Sequence, residues 1–209
     1  MISKKAPCSS LRAVTLLELL ISITIVSIMV LTIYGIYTYS HLQMLNVERR
    51  EEVQNGLSYA LEYMSKYVQQ ANGITGSPPI ILYPNSSSPT GFQVRVDFNA
   101  PSTPSNLSDD AWVSYSLSGN TLTAACTGTG CPFTSQVLSI NIIANFVNGT
   151  IPATPTSGFY TSIDSLGNVV DVGLVGQYYP TVAITTANKL TNPQVVLRTK
   201  IVCNNASTN

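Results

Sequence analysis

The sequence predicts an α+β protein in which one long N-terminal helix packs on an antiparallel β-sheet head. Three observations carry that expectation. The stretch from Leu19 to Val47 contains no Asp, Glu, Lys or Arg, as a bilayer-length helix would require. Apolar residues then recur at helical spacing as far as Ala71. Beyond Pro79 the pattern switches to alternation with a period of two, punctuated by turn residues. The composition agrees. Only 10 basic and 10 acidic residues occur among 209, while Ser, Thr, Asn, Gly and Tyr are abundant, which suits a loop-rich secreted domain. The formal charge is zero, and without residues 1–13 the remainder is acidic. That argues against a surface built to grip nucleic acid.

The chain opens on a short basic leader containing Lys4, Lys5 and Arg12. From Val14 the apolar run continues to Tyr39, about 26 residues, which spans a hydrocarbon core of about 30 Å. A secretory signal would end its apolar core sooner, at a small-residue cleavage site. The positive-inside rule puts residues 1–13 in the cytoplasm and the bulk of the chain outside. Glu18 stands at the lip of this apolar helix. An acid at the bilayer centre costs roughly 2.5–3.5 kcal/mol on insertion scales, so Glu18 is a functional candidate. On hydropathy alone, an ordinary signal anchor fits as well.

After Tyr39 the apolar residues Leu42, Leu45, Val53, Leu57, Ala60, Leu61, Met64, Val68 and Ala71 define one stripe of an amphipathic helix. Glu48, Arg49, Glu51 and Glu52 begin its solvated part, and Glu62 with Lys66 has the spacing of a favourable pair one turn apart. Gly73, Gly76, Pro78 and Pro79 stop it. A continuous helix from Val14 to Ala71 would be about 87 Å long. Gly35 and Gly56 interrupt it: both are either tolerated or admit close packing, and Gly35 is also a place for local bending.

In the head, Phe92 to Phe98 alternates as a half-buried strand. Ala111 to Leu117 and Thr121 to Ala125 flank Ser118-Gly119-Asn120, a hairpin signal. Val137 to Val147 reads as a longer strand. Phe159 to Ile163 and Asn168 to Val175 pair around Asp164 to Gly167, and Thr181 to Thr186 pairs with Val195 to Val202. Ser86 to Thr90 and Pro101 to Ser108 are loops. Cys126 and Cys131 flank Thr-Gly-Thr-Gly, and in an oxidising compartment a local disulfide between them is expected. Cys8 falls in the leader. Cys203 is either free or a competing partner for one of that pair.

At the N-terminus the residues resemble a known signal. Ala13-Val14-Thr15-Leu16-Leu17-Glu18-Leu19-Leu20 looks like the class III signal of type IV pilins and type II secretion pseudopilins. The resemblance implies cleavage by a prepilin peptidase between Ala13 and Val14, N-methylation of Val14, and Glu18 as the fifth residue of the mature chain. Ala13 stands where the family usually has Gly, and Val14 where it usually has Phe. A second resemblance covers Leu57 to Ala71 and the closing segments Tyr179 to Ile184 and Val195 to Thr199. These are similar to W-class minor pilins and J-class pseudopilins. Together they imply a leader at 1–13, a transmembrane and assembly half-helix at 14–40, an amphipathic half at 41–76 and a β-rich head at 77–209.

The same resemblance implies single-pass insertion in a bacterial inner membrane with the head in the periplasm, then incorporation into a pilus or secretion pseudopilus. The partners it implies are other pilins or pseudopilins, prepilin peptidase, membrane lipid and an inner-membrane assembly platform. No Gly-Lys-Ser/Thr phosphate loop occurs, so the ATPase would be a separate cytoplasmic protein. Glu18 would pair with the N-terminal amine of its own or an adjacent subunit. No enzymatic activity, cofactor, metal or direct nucleic-acid contact is expected. His41 is the single histidine and adjoins the apolar run, and no Gly-x-Ser-x-Gly elbow is present. Asp109-Asp110 and Asp164 with Asp171 do not match an ordered calcium loop and read as solvated turn acids. The competing reading from another class is a signal-anchored extracytoplasmic binding or adhesive protein that does not polymerise.

Overall fold

The computed structural model describes residues 15–206, apart from 75, 100–102 and 104. Its backbone begins with α1 (Leu16–Gln69), a helix of 54 residues that runs unbroken through Gly35 and Gly56. The chain divides into two compact units, one ending at Met44 and the other beginning at Leu45. The amphipathic part of α1 from Leu45 onward therefore belongs with the β-rich head.

That part of the helix is buried along one stripe. Val53, Leu57, Ala60, Met64 and Val68 are fully enclosed, and Tyr67 nearly so. The spacing of three and four expected from the sequence is the spacing that faces the core. Lys66 makes no ion pair with Glu62. Its ammonium lies 5.1 Å from the centre of the Tyr67 ring instead. The helix closes with two tight turns, Gln70 N–H donating to Tyr67 O and Ala71 N–H to Val68 O, each at 3.1 Å. Asn204 N–H then donates to Gln69 O, satisfying one of the terminal carbonyls a helix leaves orphaned.

After a short β1 (Asn72–Gly73), five strands form an antiparallel meander: β2 (Ile80–Tyr83), β3 (Gly91–Val96), β4 (Ala111–Ser118), β5 (Thr121–Thr127) and β6 (Ser135–Ser139). The expected hairpin is present. Ser118 pairs with Thr121, and Gly119 supplies the left-handed residue of the turn at φ 57°. A second sheet has the order β10-β9-β8-β7, from β7 (Phe146–Asn148), β8 (Phe159–Ile163), β9 (Val169–Gln177) and β10 (Gln194–Val202). Its pairs are antiparallel except β7 with β8. The chain ends in β11 (Asn205–Ala206), parallel to β1.

Two strand expectations are corrected. Val137 to Val147 is not one strand. The chain leaves the first sheet after Ser139, crosses through buried Ile142, and enters the second sheet at Phe146, turning at Asn145 with φ 80°. Thr181 to Thr186 is not a strand either. Its assumed partner, β10, pairs along its whole length with β9, from Gln194↔Gln177 to Val202↔Val169. Residues 178–193 form a loop that side-chain amides organise instead.

The core lies where α1 meets the inner faces of both sheets. Phe92, Val94 and Tyr115 from the first sheet and Phe159, Val172 and Leu174 from the second are fully buried beside the helical stripe. Phe92 and Phe159 bring their ring centres to 6.1 Å, linking the sheets. Helix and second sheet approach closely at Gly176 in β9. A Cβ there would lie 2.8 Å from Val53 Cγ1 and 3.1 Å from Leu57 Cδ2. On the flank of α1, Tyr63 packs against Tyr67 at 5.2 Å and against Phe133 at 5.8 Å. Phe133 reaches that position just beyond the Cys126–Cys131 disulfide, which forms as expected, while Cys203 is free and buried.

Gly176→Ala should lower stability by about 1–3 kcal/mol through overpacking against Val53, read as a lower denaturation midpoint. Reducing the disulfide should remove about 2 kcal/mol in the chain-entropy account. Thermal unfolding with and without reductant measures it.

Candidate functional site

The segment from Leu16 to Met44 has the chemistry of an anchor. Among the described residues α1 is one helix long and apolar enough to cross a membrane. Its most apolar 18-residue window has a mean hydropathy of 2.5. The large apolar side chains from Leu16 to Tyr39 are all exposed, from 47% at Ile21 to 83% at Leu16. A contiguous exposed apolar surface of this extent marks a site of contact with a membrane or another apolar surface.

Its serine and threonine hydroxyls from Ser22 to Thr38 are already satisfied. Ser22 donates to Glu18 O at 2.8 Å, Thr24 to Ile21 O at 2.7 Å, and Ser27 to Ile23 O at 2.7 Å. Thr32 donates to Met29 O at 2.8 Å, and Thr38 reaches Gly35 O at 3.0 Å. Each polar group is thus bonded within its own helix, the arrangement that lowers the cost of an apolar surrounding. Gly35 has open space where a side chain would be, and the helix runs on through it. Tyr37 and His41 stack one turn apart, ring centres 6.4 Å from each other.

Glu18 takes part in a contact the sequence reasoning overlooked. Thr15 N–H donates to Glu18 Oε2 at 2.9 Å, and Thr15 Oγ1 donates to the same oxygen at 3.1 Å. In return Glu18 N–H donates to Thr15 Oγ1 at 3.2 Å. This is a capping box, in which a Thr and a Glu three residues on satisfy each other's backbone donors at a helix start. The signal was legible as Thr-x-x-Glu before an apolar run. Glu18 also complements the positive end of the helix dipole. Lys4, Lys5, Arg12, Ala13 and Val14 lie outside the described residues, as does Cys8.

The acids of the head behave differently from expectation in one place. Asp110 is buried rather than solvated. Burial pushes its carboxyl up, nearby Asp97 adds to that, and the hydrogen bond from Asn72 Nδ2 at 3.2 Å opposes it. Arg95 is also buried, which lowers its guanidinium against the pull of Asp110; it lies 4.7 Å from the centre of the Trp112 ring. Asp109 accepts from Thr103 Oγ1 at 2.9 Å. Asp164 and Asp171 line one recess together with Lys200, but their carboxylates go to different partners. Asp164 accepts from Val169 N–H, while Asp171 pairs with Arg198, whose hydrogen bonds hold its carboxyl below the usual range. Among the described residues no three His, Cys, Asp or Glu side chains gather into a metal-binding group.

Comparison with protein-family models, curated proteins and solved structures found no match.

Burial, with Asp164 nearby, pushes the Cys203 thiol up to about 11 from an ordinary value of 9.0. Between those values the unfolded chain binds fewer protons than the folded one, so stability should fall as pH rises from about 9 to about 11. Denaturation midpoints across that range check it. Cys203 should also resist alkylation until the chain unfolds.

Proposed function

We propose that this chain is a minor pilin or pseudopilin subunit. In this reading it inserts through α1, loses residues 1–13 to a prepilin peptidase, and joins or primes a type IV pilus or a type II secretion pseudopilus. The observation that carries the reading is the exposed apolar segment of α1, headed at once by Glu18. It is a hydrophobic surface left exposed among the described residues, and it begins with the one residue that an apolar bundle would tolerate least.

The chemistry of assembly follows from cleavage. Cutting after Ala13 makes Val14 an α-amine, which at neutral pH is mostly protonated. Methylation leaves it basic. Two charges about 4 Å apart attract by about 4 kcal/mol at an effective dielectric of 20, before desolvation is deducted. That matches the cost of submerging an acid in a bilayer. The capping box holds the carboxylate against Thr15, the residue next to the new amine. A neighbouring subunit's amine thus meets a carboxylate that is already oriented. Apolar packing along Leu16 to Ile36 supplies the rest of the cohesion, and a cytoplasmic ATPase and assembly platform supply the work of extraction.

The capping box also favours a second reading. A Glu18 satisfied by its own helix serves equally in a signal-anchored, non-polymerising binding protein. The two readings separate cleanly. Glu18→Gln keeps an amide capable of the capping box and removes the charge. Glu18→Ala removes both and costs the helix start about 1 kcal/mol or less. Subunit pairing predicts that both variants insert yet neither is incorporated into filaments. Normal incorporation of Glu18→Gln would overturn the charge pairing. Mass spectrometry of the membrane-extracted chain should find Val14 as the first residue, and an intact residue 1 in cells carrying the peptidase would sink the assembly reading.

A further inference from the structure

The loop of residues 178–193 is built inside out. Amide side chains beneath it hold its backbone, while several of its apolar side chains stand outward. Buried Asn192 accepts from Tyr179 N–H at 2.7 Å and donates back to Tyr179 O and Val182 O, each at 3.3 Å. Buried Gln177 donates to Tyr179 O at 3.0 Å and also to Val182 O. Asn188 accepts from Thr185 N–H at 2.7 Å and donates to Ala183 O at 2.9 Å. Three amide side chains therefore occupy the backbone groups that water would otherwise bind. Meanwhile Tyr179, Val182, Ile184 and Leu190 stand exposed, each by 38–46%.

The loop is fastened to the first turns of the unit that begins at Leu45. Asn46 Nδ2 donates to Leu190 O at 2.6 Å. Arg49 donates to Thr191 O, and its guanidinium lies 4.9 Å from the centre of the Tyr178 ring. Beside this fastening a cavity of about 340 Å³ opens, with Asn46, Arg50, Ile184, Lys189 and Leu190 in its walls. Two of those walls carry cations. Glu48, Glu51 and Glu52 do not line it. Along the chain, Asn46 comes soon after Tyr39, where the apolar run ends.

We propose that this loop is a second, interfacial membrane contact. Tyr179, Val182, Ile184 and Leu190 enter the boundary between headgroups and acyl chains, and Arg50 and Lys189 hold a phospholipid phosphate in the cavity between them. Satisfied backbone is what an irregular segment needs before it can leave water. Exposed apolar and tyrosyl side chains flanked by cations are the composition of an interfacial surface. The inference rests on the membrane-anchored reading of α1 above, and adds the loop to it.

Bromolipid quenching tests both and tells them apart. The full chain, which carries Trp112 as its sole tryptophan, is reconstituted in vesicles containing anionic phospholipid with brominated acyl chains. The parent gives the baseline for three added probes, Ile25→Trp, Val182→Trp and Leu166→Trp. Leu166 is exposed in the turn that precedes β9, whereas the loop follows that strand. The expected result is quenching of Val182→Trp within a factor of about two of Ile25→Trp, with Leu166→Trp at the parent's level. Charge reversal by Arg50→Glu with Lys189→Glu should return Val182→Trp toward baseline. If Ile25→Trp is quenched and Val182→Trp is not, the loop proposal fails and the anchor stands. If Ile25→Trp is not quenched either, both fail. A Val182→Trp signal that shifts only as protein is concentrated at fixed lipid would assign the surface to a second copy of the chain and overturn the lipid contact. Quenching that survives charge reversal would remove the phosphate from the proposal.

Discussion

The contact on which the rest of the head depends is the buried stripe of α1 between two sheets that share no strand. Each sheet satisfies its own hydrogen bonds, yet each has one apolar face that must be covered. Val53, Leu57, Ala60, Met64 and Val68 share one buried cluster with inner residues of both sheets, and the absence of a side chain at Gly176 leaves room for Val53 and Leu57 against β9. Phe92 and Phe159 add a direct aromatic contact between the sheets. A buried apolar side chain contributes about 1.5–3 kcal/mol, so these five residues outweigh any surface ion pair in the molecule. Arg198 with Asp171 illustrates the difference, since solvent screens an exposed pair of this kind.

The same helix obeys opposite rules along its length. From Leu45 onward its apolar residues are confined to a stripe and buried. Before Met44 they cover every side and stay exposed among the described residues. The change requires no break in the backbone. It follows from side-chain distribution alone, and Glu48, Arg49, Glu51 and Glu52 mark where solvated residues return. The loop of residues 178–193 shows a related contrast in three dimensions, with Gln177 and Asn192 buried beneath exposed Val182, Ile184 and Leu190. The first feature is consistent with a membrane anchor.

Much of this was legible in the sequence where one period dominates. The alternation in Phe92 to Phe98, the glycine of the Ser118-Gly119-Asn120 turn and the helical spacing from Val53 to Ala71 all correspond to observed elements. So does the disulfide, because four small residues between two cysteines leave the sulfurs little freedom. The failures have physical causes. Val137 to Val147 holds enough apolar residues for one strand, but changing sheets demands a left-handed residue at Asn145, which apolar periodicity does not register. Thr181 to Thr186 alternates like a strand although its partners are the distant amides of Gln177 and Asn192. Glu18 was read through its cost in a membrane, and its bond to Thr15 was missed because the capping signature lay inside a stretch already explained. Asp110 looked like a turn acid, and only the packing of Asn72 and Arg95 around it reveals otherwise.

The hydroxyls of the exposed half-helix have a consequence for anything laid against it. Ser22, Thr24, Ser27, Thr32 and Thr38 each spend their proton on a carbonyl one turn back. Those five hydroxyls are therefore not free to donate to a neighbour. Against the apolar stretch between Leu19 and Ile33, register has to come from the fit of side-chain ridges into grooves. The aromatic donors that remain exposed stand in the last turns of the segment, at Tyr34, Tyr37, Tyr39 and His41.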